Sequence, residues 1–115
     1  MPSKTALTLS AILLLVGAWG CSTEPPSVQV FNERSSKANL QIKPNSGNTF
    51  NINDVAGGTA TGFQDISTGQ YVVTASIQDE SASPTVGFNA SDDNNYTIVV
   101  VSGNPPTLRV DSSGK

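Results

Sequence analysis

Nucleophilic and metal chemistry usually begins with histidine and cysteine. This chain of 115 residues has no histidine and one cysteine, Cys21. Without imidazole there is no Ser-His-Asp or Cys-His relay and no imidazole ligand for a metal. Carboxylates are what remain. Asp54, Asp65, Asp79, Glu80, Asp92 and Asp93 all fall at expected turns or strand ends. A glycosidase needs two carboxyls flanking a cleft, about 5–9 Å apart, and a body this small leaves little room for a sugar cleft. The densest oxygen cluster is Asp92-Asp93-Asn94-Asn95. Asp92, Asp93 and Asn95 are the candidates for a hard cation such as calcium, which takes about six to eight oxygens. The run lacks both D-x-D-x-D-G spacing and a distal glutamate. Asp and Asn also suit a polar turn, because both tolerate left-handed backbone. Asp79-Glu80 reads as another solvated turn. No enzyme and no resident cofactor or metal is expected.

A glycan site would need an exposed aromatic platform. Trp19, the only tryptophan, lies in the leader described below. Phe50, Tyr71, Phe88 and Tyr96 share the parity of the expected core. Phe31 is out of phase with Val28 and Val30, and Phe63 sits in a weakly patterned stretch. Phe31 and Phe63 are therefore the candidate ligand-binding residues, or else strand-end rings that cover the edge of the body. Asn89-Ala90-Ser91 and Asn95-Tyr96-Thr97 fit the glycosylation pattern N-x-[ST], a match taken as coincidental behind the leader described below.

Cys21 closes an apolar run. Met1 to Lys4 carries one positive charge, and Ala6 to Ala18 is mostly Leu, Ile, Val and Ala. A charged start, a short apolar middle and small residues form the layout of a secretory leader. The run falls short of the roughly 20 apolar residues that span a bilayer. Its end, Ala18-Trp19-Gly20-Cys21, resembles a bacterial lipobox, with Ala18, Gly20 and Cys21 matching and Trp19 departing from the small residue usual there. The resemblance implies that the thiol takes a diacylglycerol, that the leader 1–20 is cut away, and that the new amino group is acylated. The covalent lipid on Cys21 would be the membrane anchor, since one acyl chain holds only marginally and two or three hold durably. Ser22 following the cysteine implies sorting to an outer membrane.

Cutting before Cys21 leaves 95 residues with 5 basic and 9 acidic side chains, formally −4. That is enough for one small domain with one core. Such a chain has no electrostatic footprint for nucleic acid and no polybasic run to supplement the lipid. With Cys21 lipidated no thiol is left for a disulfide, so stability must come from packing. Residues 21–27 form a short tether in which Pro25 and Pro26 favour extended backbone. Six links reach about 20 Å.

From Val28 the apolar pattern has period two. It recurs at Val28/Val30, Leu40/Ile42, Phe50/Ile52, Tyr71 to Ile77, Val86 to Ala90 and Leu108/Val110. Such alternation predicts half-buried strands. Ile98 to Val101 is apolar on both parities, which predicts a central strand covered on both faces. No helical face follows Cys21. Turn chemistry at Asn45–Asn48, Ala56–Thr59, Ser67–Gly69, Asp92–Asn95 and Gly103–Pro106 recurs at sandwich or barrel spacing, roughly 8–12 residues. The expected fold is all-β: a single antiparallel β-sandwich of seven or eight strands over 28–111, counting Ala60 to Asp65 as a weaker strand. Pro105 and Pro106 place the last strand at an edge, and 112–115 should fray.

Three segments resemble an uncharacterised bacterial envelope domain. Ser27-Val-Gln-Val-Phe-Asn32 is similar to its opening V-R-V-x-N strand. Asp65-Ile-Ser-Thr-Gly-Gln-Tyr-Val-Val-Thr74 is similar to its central v-x-x-G-x-Y-x-v segment, and Asn95-Tyr-Thr-Ile-Val-Val-Val-Ser-Gly103 to its closing Y-T-v-v-v-x-G strand. Glu33-Arg34-Ser35 stands where the family usually has Ala-Ser. The resemblance implies an immunoglobulin-like or transthyretin-like sandwich carried on a lipoprotein, and no established activity. The expected role is that of a non-catalytic, lipid-anchored envelope protein, accessory, structural or protein-binding, partnered by the membrane and another envelope protein. The alternative is a module for a small ligand or glycan.

Overall fold

The computed structural model describes residues 22–115. The leader and Cys21 itself lie outside the described residues. Eight strands follow in order: β1 (Ser27–Asn32), β2 (Ala38–Pro44), β3 (Phe50–Val55), β4 (Gln64–Asp65), β5 (Gly69–Ile77), β6 (Thr85–Ala90), β7 (Asn94–Val101) and β8 (Thr107–Gly114). They form two four-stranded sheets, β4-β1-β7-β8 and β3-β2-β5-β6, and no helix occurs among the described residues. The two sheets pack as a β-sandwich over one core.

The alternation read from the sequence sets the faces. Val28 and Val30, Leu40 and Ile42, Tyr71, Val73, Ala75 and Ile77, and Ile98 and Val100 are buried between the sheets. Phe50, Ile52, Val86, Phe88, Leu108 and Val110 close the core from its rims. Val99 points the other way and is still only 2% exposed. Register places it between Phe31 of β1 and Arg109 of β8. β7 is thus covered on both faces at Val99, while its other outward residues, Asn95, Thr97 and Val101, are half-buried.

The sandwich is not wholly antiparallel. β1 pairs with β7 in parallel, from Ser27 opposite Asn95 to Asn32 opposite Val100. Alternation specifies which face a residue takes and is silent on strand direction. Both strands start from the same end of the sandwich, β1 from the chain's entry and β7 from the turn after β6, so they must run together. The weaker strand expected over Ala60 to Asp65 shrinks to Gln64–Asp65 plus one bridge between Phe31 and Ala60. Residues 112–114 do not fray. They continue β8, with Ser112 opposite Tyr96 and Gly114 opposite Asn94, because β7 extends just as far and offers its ladder groups to them. β8 is an edge strand, as Pro105 and Pro106 implied.

Strand directions define two poles. At the far pole lie the β1–β2, β3–β4, β5–β6 and β7–β8 connections. Arg34, in the first of these, ties it to the β7–β8 and β5–β6 connections: its Nη1 donates to the carbonyls of Val101 at 3.0 Å and Gly103 at 2.9 Å, and its Nη2 to Glu80 at 3.0 Å. Beneath it Asn32 is fully buried. Its Nδ2 donates to the carbonyls of Ser36 (2.7 Å) and Val55 (3.0 Å), and its Oδ1 accepts from the Arg34 amide (2.9 Å). Asn32→Ala strands three backbone groups, and at about 1 kcal/mol each it should destabilise by roughly 2–4 kcal/mol in a denaturant titration. Gly57 packs against the same loop, where a Cβ would meet the Ser35 carbonyl oxygen at 2.5 Å. Only glycine fits that approach.

Candidate functional site

The near pole gathers the chain's entry, the β2–β3 turn, the β4–β5 connection, the β6–β7 turn and the C-terminal strand end. The oxygen cluster read from the sequence lies here, and its groups are used to hold the entering chain. The Glu24 amide donates to Asp93 Oδ1 at 2.9 Å, and the Asp93 amide donates back to the Glu24 carbonyl at 2.9 Å. The Ile66 amide donates to the Pro26 carbonyl at 2.9 Å, and the Pro26 side chain is fully buried. The Ser27 hydroxyl donates to Asn95 Oδ1 at 2.5 Å. Lys115 closes the group, its amide on the Asp93 carbonyl at 2.9 Å and its Nζ 3.7 Å from Glu24. Asp93 adopts φ +64°, the left-handed geometry that Asp accepts more readily than most residues.

The expected tether over 21–27 is therefore shorter than its length suggests, because Glu24, Pro25 and Pro26 are already docked. Asn94 and Asn95 belong to β7 rather than to the turn. Among the described residues no group of three or more His, Cys, Asp or Glu converges as a metal site. Asp93 Oδ1 accepts from the Glu24 amide and Asn95 Oδ1 from the Ser27 hydroxyl, while the Asp92 carbonyl accepts from Asn94 Nδ2 at 2.9 Å.

The two candidate aromatic residues are placed differently. Phe31 lies on the outer face of β1, partly buried beside Val99 in register. Phe63, just before β4, is 50% exposed. Neither lines an open groove of about 590 Å³ over the outer face of the β3-β2-β5-β6 sheet. Its floor is the row Lys43, Val72 and Gly87, directly opposed across β2, β5 and β6. Asn45, Gln70 and Asn89 line it with carboxamides, and Tyr71 and Phe88 contribute to its wall. Val72 is 48% exposed there.

Gly87 is what opens the groove. A Cβ at that position would meet only the Tyr71 carbonyl oxygen, at an ordinary 3.6 Å. Packing does not demand glycine here, and glycine in a strand interior weakens the strand or marks a close approach by another group. The signal is present in Thr85-Val-Gly-Phe-Asn-Ala90, but alternation alone assigns Gly87 only to an outward position. The groove offers amide donors and acceptors, one ammonium and a small apolar floor. Such groups can hydrogen-bond a polar ligand.

Compared with known proteins, the chain matches no family model and no curated protein.

Proposed function

We propose that this is a non-catalytic, lipid-anchored protein of a bacterial cell envelope, held at the outer membrane through Cys21, with an accessory, structural or protein-binding role. We also assign its sandwich to the immunoglobulin-like or transthyretin-like kind on the strength of the three segment resemblances. The observation that carries the reading is the closeness of the folded body to the lone thiol. Only Ser22 and Thr23 separate Cys21 from Glu24, where docking begins. A domain placed so tightly behind a lipobox-like leader is suited to work at a bilayer surface. Edge strands β3 and β6 bound one sheet, and such edges engage protein partners through main-chain groups without special side chains. The test is mass analysis of the mature protein from membranes, followed by cross-linking in intact cells. An N-terminal Cys21 carrying acyl chains and a reproducible envelope partner are expected. A mature chain with an unmodified thiol would refute the anchor.

A second reading, a small polar ligand or glycan, is favoured by the carboxamide-lined groove over Gly87. Gly87→Val should fill that groove while keeping the melting temperature equal or slightly higher, since valine suits a strand better than glycine. On a glycan array the parent should bind and the variant should not. Identical profiles would remove this reading.

A further inference from the structure

We propose that the near pole of the sandwich rests against phospholipid head groups, so that the body stands upright and presents its Arg34 pole away from the membrane. This rests on the reading of Cys21 as the acylated anchor. A flexible tether would let the body tumble, and any face could meet the lipid. The geometry here removes that freedom. Cys21 and Glu24 are three Cα steps apart, which is at most about 11 Å. Glu24 is fixed by its reciprocal bonds with Asp93, and Pro26 by burial and the Ile66 amide. The lipid attachment point therefore cannot leave the near pole. The β2–β3 turn and the β4–β5 connection lie at the same end, lining a common cleft that includes Asn48 and Ile66.

Charge does not produce this orientation. Glu24, Asp65, Asp92 and Asp93 lie at this pole against Lys115, which pairs with Glu24 at 3.7 Å, and Lys43 near the end of β2, so its balance is acidic. Such a surface has no attraction of its own for anionic lipid. The short docked arm imposes the contact, which predicts that lengthening the arm undoes it. The poles are separated by strands of up to nine residues, about 25–30 Å at roughly 3.3 Å per residue. The Arg34 pole would stand that much further from the head groups.

Acylation consumes the thiol of Cys21, so a second cysteine introduced by substitution is the only reactive one in the mature protein. Asn48→Cys at the near pole and Ser81→Cys at the far pole, both at exposed turn positions, each receive a donor dye. The acylated proteins are placed in phosphatidylethanolamine vesicles that carry a head-group acceptor. Energy transfer should be several-fold stronger from position 48 than from position 81. Inserting a Gly-Ser segment of about 20 residues between Thr23 and Glu24, which reaches about 25 Å, should leave the fold intact and bring the two signals together. Equal transfer from the two positions in the acylated parent would overturn the orientation and leave the anchor standing. Recovery of a mature protein without acyl chains would overturn both.

Discussion

Cys21→Ser is expected to abolish palmitate labelling and to move the protein from the membrane fraction to the soluble one. The size of the effect follows from acyl-chain burial. Each buried CH₂ contributes about 0.8 kcal/mol, and a single chain gives only reversible binding, so two or three chains make the difference between marginal and durable anchoring. Serine keeps the shape of the side chain but lacks the thiolate nucleophile that would take the diacylglycerol. No helix among the described residues is long and apolar enough to cross a membrane, and the near pole is acidic. Fractionation with mass measurement checks the outcome. A variant that stays in the pellet at the mature mass would sink the anchoring proposal.

The fold is legible in the sequence where residues act through burial. Val28, Leu40 and Ile42 stand between polar neighbours, and a period of two has one physical reading in runs this short. The double coverage of β7 at Val99 can be read for the same reason, since Val99 breaks the alternation and must be hidden too. Direction is not legible. The parallel pairing of β1 with β7 depends on the end of the sandwich from which each strand starts, and side-chain pattern carries no record of that. Around Phe63 the turn spacing suggests a longer strand than forms, and the poor alternation there is the better guide.

The sites are legible only as composition. Asp92, Asp93 and Asn95 stand out as oxygen ligands, and they do cluster. Which partner takes those oxygens is decided by residues about 68 positions away, Glu24 and Ser27. Asn32 shows the same limit. Within Val28-Gln-Val-Phe-Asn32 it continues the inward parity, where an amide looks out of place. Three backbone groups, two from the β1–β2 loop and one from the end of β3, make that burial favourable. The groove over Gly87 requires knowing which strands flank β6, because an absent side chain is informative only once its neighbours are known.

Tyr71 should be the most costly side chain to lose from the body. It is 4% exposed at the near-pole end of the core, its ring stacks on Phe88 with centroids 5.3 Å apart, and its hydroxyl donates to the Ser67 carbonyl at 2.6 Å. Tyr71→Ala should destabilise by about 3–5 kcal/mol, from lost transfer energy together with the cavity left behind. Tyr71→Phe keeps the ring and loses only the hydroxyl's bond, about 1 kcal/mol. The two variants thus separate packing from hydrogen bonding in a single pair of denaturant curves. The parent also carries a pH signature. Burial raises the Tyr71 phenol above its ordinary value of 10.0, a rise partly offset by the bond to Ser67. Above that ordinary value the unfolded chain gives up the phenolic proton while the folded chain still holds it. Stability from this group is therefore complete below about pH 10 and falls as pH rises through the folded value. Tyr71→Phe has no phenol at this position and should flatten that alkaline decline relative to the parent. An unchanged melting curve for Tyr71→Ala would mean that β5 does not turn this face to the core. An alkaline limb identical in the parent and Tyr71→Phe would place the titrating group elsewhere.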